Sequence, residues 1–272
     1  MIRKLYPGGK SKAFNISYDD GVLQDIRFVE LLNRYGLKGT FNLNYGLMHN
    51  GFTWQHECGM TVRRIPEEQV TALYAGHEIA SHSYSHPYFD NMDETEILKE
   101  LAADKFLLEK LFGREVAGYA TPFYYYGELL ADCVRHCGFE YARISEESGD
   151  YSVPADFFHW RGSKFHWDED MADFVRGFLE TEQELALCQL VGHSYDLDVM
   201  NLWQTMEQVL RWVSENSDVW AVTHIELVRY LRNMNLAKIS DSKISNESNA
   251  ELWFMIDGKT IKLAPGETIQ LM

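Results

Sequence analysis

Two adjacent carboxylates, Asp19 and Asp20, leave an apolar run just before Gly21, in Ser17-Tyr18-Asp19-Asp20-Gly21. Burying both charges is costly unless a cation lies beside them, although the pair alone also suits the acidic first turn of a helix. Farther on, Ser81-His82-Ser83-Tyr84-Ser85-His86-Pro87 places two histidines at i and i+4. A single helical turn would put both imidazoles on one face, a spacing suited to capturing a metal, while a polar surface pair is the plainer reading. The combination says more than either part. One carboxylate and two imidazoles give three ligands with a position left open, which a catalytic zinc-type site needs and a closed structural site lacks. A third cluster, Gly192-His193-Ser194-Tyr195-Asp196, brings His193 out of an apolar run. Its ring suits either a hydrogen-bonded core group or a general acid working near neutrality.

All three clusters fall where strands end. Short apolar runs alternate with amphipathic stretches many times, predicting strands at 13–18, 38–43, 77–81, 116–120, 141–144, 157–160, 185–191 and 219–222. Helices are predicted between them. The clearest spans 94–112, with Asp93 and Glu96 as a capping box, Ile97, Leu101, Leu108 and Phe112 on one face, and Gly113 as its stop. Such alternation calls for a parallel α/β sheet covered by helices, either closed as a barrel or open and doubly wound. In both architectures chemistry gathers at strand ends. The tail differs: 240–249 reads as a polar linker, and 252–256, 260–263 and 268–271 as about three strands around Asp257-Gly258 and Pro265-Gly266 turns. The expected division is a catalytic domain over 1–239 and a linker with a small β appendage over 240–272.

The three clusters resemble, in order and placement, the motifs of the polysaccharide deacetylases (the NodB-homology family, carbohydrate esterase family 4). Ser17-Tyr18-Asp19-Asp20-Gly21 is similar to the family's Thr-Phe-Asp-Asp-Gly. Gly76-His77-Glu78 through His82 and His86-Pro87 resembles its second motif, and Val191-Gly192-His193 its late Leu-x-His. The resemblance covers roughly residues 11–232 and implies a distorted barrel of seven to eight β/α units. It implies Asp20, His82 and His86 as metal ligands and Asp19 as the base that takes a proton from the attacking water. His193 would then be the acid that protonates the leaving group, and the backbone N–H of Phe123 an oxyanion donor. The metal expected is divalent, with zinc first and cobalt, nickel or manganese also suited to these ligands.

Two departures mark a divergent branch. Where the family has Arg-x-Pro-Tyr, this chain has Ala120-Thr121-Pro122-Phe123, so the cation that orients the base must come from elsewhere. Arg161 is the candidate from the next strand end. The family's Asp-Trp has candidates in Trp160 and in His166-Trp167-Asp168. The run Phe123-Tyr124-Tyr125-Tyr126 follows a strand end, so Tyr124 and Tyr125, with Trp160, are candidate substrate-binding aromatics, an aromatic loop clamped to the core being the alternative.

The remaining composition excludes partners rather than naming them. With 41 acidic against 25 basic residues and a formal charge of -16, the chain lacks the basic footprint that phosphate backbones require. No apolar run approaches the length of a membrane span, no targeting segment is visible, and cytoplasm is the default. Four cysteines are too few for a disulfide scaffold, and Cys133 and Cys137 read as buried thiols. The expected activity is removal of an acetyl group from a sugar or polysaccharide. The alternatives are hydrolysis of a non-sugar amide, as in allantoinase-like enzymes, and a silent carbohydrate-binding protein.

Overall fold

The computed structural model describes residues 2–271 and is built around a parallel barrel. Strand Lys12–Asp19 lies between Ala186–Gly192 and Thr40–Leu43. From Thr40–Leu43 the sheet continues through Glu78–Ser81, Gly118–Ala120, Tyr141–Glu147 and Trp160–Gly162, every neighbour parallel. At the other end Lys164–Phe165 pairs with Ala186–Gly192. Trp160–Gly162 and Lys164–Phe165 are separated only by Ser163, whose N–H donates to Gln189 O at 3.0 Å. One short run thus touches both ends of the eight-strand path and nearly closes the ring. Val219–Ala221 adds alongside residues Lys12–Phe14.

Helices cover the outside because their apolar stripes have nowhere else to go. In Glu94–Phe112, Ile97, Leu101 and Leu108 are buried. Each such side chain contributes roughly 1.5–3 kcal/mol relative to leaving it exposed. Asp93 and Glu96 form the reciprocal capping box, and Gly113 closes the helix at φ 63°. Both ends follow the sequence reading.

The structure corrects four local expectations. Residues His82–His86 are not a helical turn: Ser83 and His86 take left-handed backbone (φ 66° and 55°), so the two imidazoles converge through a loop. The strand expected at 157–160 begins only at Trp160, because the Asp156 carboxylate accepts from Phe158 N at 2.8 Å and its carbonyl from His159 N, making a turn there. Within the expected linker, Lys243–Asn246 is a strand pairing with both Ala237–Ile239 and Thr268–Gln270. Finally, strand Ile2–Leu5 from the N-terminus joins the tail, pairing antiparallel with Leu252–Ile256, whose other neighbour is Lys259–Leu263. Leu252, Phe254 and Ile244 of the tail share one apolar cluster with Leu227, Val228 and Leu231 of helix His224–Met234. No helix among the described residues is long and apolar enough to cross a membrane.

Candidate active site

The C-terminal ends of the strands surround a cleft of about 690 Å³. Asp19 is the last residue of its strand and is buried there. Its Oδ1 accepts from Asn42 Nδ2 at 2.6 Å and from Arg143, also buried, whose guanidinium forms an ion pair with it. Arg143 lies directly beside Ala120 in the register of the neighbouring strands. The cation missing at Ala120 is therefore supplied by the next strand over, at the same level. Arg161, the residue expected to supply it, is exposed and pairs with Ile144, one residue beyond Arg143 in the neighbouring strand. Burial pushes the Asp19 carboxyl up, but Arg143, His82 and His193 together hold it below the ordinary carboxylate range.

Asp20 follows with φ 85°, a conformation costly for a residue with a Cβ, and lines the same cleft. Arg64 holds it there: its guanidinium donates to the Asp20 carbonyl and lies 2.9 Å from Oδ1. Asp20 Oδ1 is also 3.8 Å from His86 Nε2, and His82 Nε2 is 4.0 Å from Asp19 Oδ2. Ligand atoms of Asp20, His82 and His86 all lie within 4.8 Å of one another.

This trio fits a divalent cation on two further grounds. Asp20 Oδ1 is buried, and among the described residues no aligned hydrogen-bond donor satisfies it. His82 Nδ1 donates to Ala120 O at 2.8 Å, which fixes the tautomer and leaves Nε2 to coordinate. Burial, the largest effect on its ring, drives the His82 pKa down to about 3, so the imidazole is neutral as a ligand must be. Asp20 is the opposite case: burial raises its carboxyl, yet Arg64 and the nearby histidines keep it ionised well below the usual range.

His193 stands across the cleft, its Nδ1 2.9 Å from Asp196 Oδ2. Burial works against its charged form, but the Asp196 hydrogen bond and the field of Asp20 and Asp19 outweigh it and raise the pKa to about 9. Asp196 is in turn 3.4 Å from His166 Nε2, and His166 Nδ1 meets the Tyr18 hydroxyl. Gly192 is needed beside this chain, since a Cβ there would lie 2.6 Å from the His166 ring.

The expected aromatics separate. Phe123 lines the cleft in left-handed backbone (φ 53°), its ring stacked 3.7 Å from Tyr88 and edge-on to His86 at 4.5 Å. Tyr124, 83% exposed, stands at the rim. Tyr125 is outside the cleft lining, its hydroxyl against Gly127. Trp160 is not a cleft residue either: it is buried beneath the site, edge-on to His224 at 4.4 Å and to Tyr141 at 5.7 Å. The tryptophans that line the cleft are Trp54 and Trp167, the latter parallel to His193 at 5.9 Å. Arg143, Arg64 and Asp196 also belong to the site and were not foreseen. Arg143 had a visible signal, a lone arginine within the apolar strand Tyr141–Ile144. Arg64 had none, lying in a loop with nothing nearby to mark it.

A family model described as polysaccharide deacetylase matches residues 7–142, half of the chain. No curated protein matches. Among solved structures, a Mycobacterium smegmatis protein assigned as a polysaccharide deacetylase is similar at 17% identity and TM-score 0.65, over 88% of this chain and 96% of its own. The CE4 domain of a multidomain xylanase from the hindgut metagenome of Trinervitermes trinervoides is similar at 18% identity and TM-score 0.55, over 82% and 92%. The Puue allantoinase is similar at 13% identity and TM-score 0.61, over 82% and 91%. At these identities the likeness is one of fold. The aspartate pair and the histidine pair both fall inside the matched half, and folding gathers them into one Asp/His/His metal-ligand cluster beside the buried Asp19 carboxylate, with His193 across the cleft. This chain belongs to the polysaccharide deacetylase family, as a divergent member with the machinery of a hydrolase of amide or ester bonds.

Proposed function

We propose that this protein removes an acetyl group from a sugar substrate, with Asp20, His82 and His86 as the ligands of a divalent metal, zinc first among the candidates. The chemistry a divalent cation supplies at such a site is a lowered water pKa and a polarised acyl carbonyl. Asp19, kept ionised by Arg143, takes the proton of the attacking water. The backbone N–H of Phe123 donates to the oxyanion as the carbonyl becomes tetrahedral. His193, charged up to about pH 9, gives its proton to the departing amine or alkoxide. Tyr124 flanks the substrate at the rim. All of these residues lie in the barrel portion, within 1–239, and the tail from residue 240 supplies none. The four cysteines of the chain are free, which suits a reducing compartment, and we place the enzyme in the cytoplasm.

The observation that carries this reading is the coexistence of an arginine-paired carboxylate and an aspartate-paired histidine around the ligand trio. A silent binder needs neither an arginine-held Asp19 nor an aspartate-held His193. A non-sugar amidase is the second reading, and the cleft favours it in one respect: Leu47, Phe52, Phe165 and Val191 give it an apolar wall. The test is acetate release from a panel of N- and O-acetylated sugars beside ring opening of cyclic ureides, with zinc supplied. Acetate from sugars alone supports the proposal; ureide opening without acetate release overturns it for the amidase.

A further inference from the structure

Behind the cleft lining, a chain of side chains runs from the sheet to His193. It begins at Tyr18, paired in register with Gly192 and fully buried, its ring stacked on Phe28 at 4.2 Å. Asp19 lines the cleft and Tyr18, one residue earlier, does not. The Tyr18 hydroxyl meets Nδ1 of His166, and the two rings lie edge to face with centroids 4.9 Å apart. His166 follows strand Lys164–Phe165, its backbone N–H donating to Val191 O at 3.0 Å. It is fully buried and lies outside the cleft lining, although Phe165 and Trp167 on either side belong to it. Asp168, from the same His166-Trp167-Asp168 run, pairs instead with Lys164 at 3.1 Å. His166 Nε2 and His193 Nδ1 approach one and the same oxygen, Asp196 Oδ2, at 3.4 and 2.9 Å.

These contacts decide where the His166 hydrogen sits. Burial is the largest effect on its ring and lowers the pKa, so the imidazole is neutral and carries one N–H. With that hydrogen on Nδ1, the Nε2 lone pair would oppose the Asp196 carboxylate inside the protein, two acceptors with no donor between them. With it on Nε2, the Tyr18 hydroxyl donates to Nδ1 and the ring N–H is left for Asp196. At 3.4 Å that contact falls short of a well-aligned hydrogen bond, and Nε2 has no other partner among the described residues. Asp196 needs a second holder. It stands on the short helix Ser194–Val199, three residues after His193, with its side chain 11% exposed, and with His193 alone it is free to turn to solvent. We infer that His166 is a positioning residue: oriented by the Tyr18 hydroxyl, it sets an N–H against Asp196 and keeps that carboxylate on Nδ1 of His193. This rests on the proposed role of His193 as the acid and extends it to two residues outside the cleft lining.

The experiment uses zinc-loaded protein with isotope-labelled histidine, and N-acetylglucosamine oligomers as substrate. Nitrogen NMR should find the His166 hydrogen on Nε2 and a hydrogen-bonded Nδ1–H on His193. His166→Phe keeps a buried ring and removes both nitrogens. It should lower kcat about tenfold or more with KM within about twofold, and should broaden the His193 Nδ1–H signal away. His166→Gln, which still offers an N–H to Asp196, should keep that signal and recover most of kcat. Tyr18→Phe should shift part of the His166 hydrogen to Nδ1, and it replaces His166→Phe should that variant not fold. A hydrogen on His166 Nδ1 in the unmodified protein overturns the inference. So does a His166→Phe variant with unchanged kcat, a loss read in KM instead, or an equal loss in His166→Phe and His166→Gln, which marks packing alone. Should the unmodified protein hydrolyse none of the sugars, the sugar reading fails. The His166 and His193 signals across the variants then still decide the positioning, since they need no turnover.

Discussion

The guanidinium of Arg143 meets the carboxylate of Asp19 from a strand position paired with Ala120. Neighbouring residues of parallel strands point to the same side of a sheet, so an arginine moved one strand along still reaches the same carboxylate. Losing it leaves a buried carboxylate without its counter-charge. Arg143→Ala is expected to lower kcat about 10–100-fold, the usual cost of removing a group that orients another at a metal site. The double variant Ala120→Arg with Arg143→Ala should recover much of that loss. Steady-state kinetics on all three proteins check this, and full activity in Arg143→Ala contradicts it.

Asp196 is the counterpart for His193, the proposed acid. Because the His193 pKa is raised, its charged form and the stability it confers are fully present below the unfolded value of about 6.5 and are lost as pH climbs through about 9. Activity should follow the same sign, with the alkaline limb of kcat/KM near or below 9, since a bound cation offsets the field of Asp20. Asp196→Asn should move that limb to lower pH by a unit or more. A limb left in place would show that Asp196 does not set the acid.

Two tryptophans make a contrast of position. Trp160 is buried under the barrel, and Trp160→Ala should cost roughly 3–5 kcal/mol of stability, read by denaturant unfolding. Trp167 lines the cleft beside His193, so Trp167→Ala should raise KM several-fold with little change in the unfolding midpoint. The reverse pattern would return Trp160 to the substrate site.

How much of this could be read beforehand depends on how local each feature is. The Asp20, His82 and His86 cluster and His193 sit in short runs at strand ends, and the alternation of strands and helices places those ends together, so their gathering at one cleft was visible in residue order. The barrel closure at Ser163 was not, because it rests on a two-residue strand that no periodicity can reveal. Trp160 and Trp167 lie seven positions apart, and choosing between them needed the turn at Asp156 that delays the strand. Arg64 and the hairpin carrying it act through contacts distant in sequence. The pairing of Ile2–Leu5 with the tail joins the two ends of the chain, a relationship that local pattern does not encode.

The most direct test of the central claim is acetate release by protein as purified, after chelation, and after zinc or cobalt is returned, with Asp19→Asn and His82→Ala alongside. Metal content is measured in each sample by emission spectrometry. The structure predicts that chelation abolishes release and that added metal restores it in the unmodified protein. Asp19→Asn should bind metal without turnover, and His82→Ala should neither bind stoichiometrically nor recover. Undiminished acetate release from protein shown to be metal-free would contradict the account.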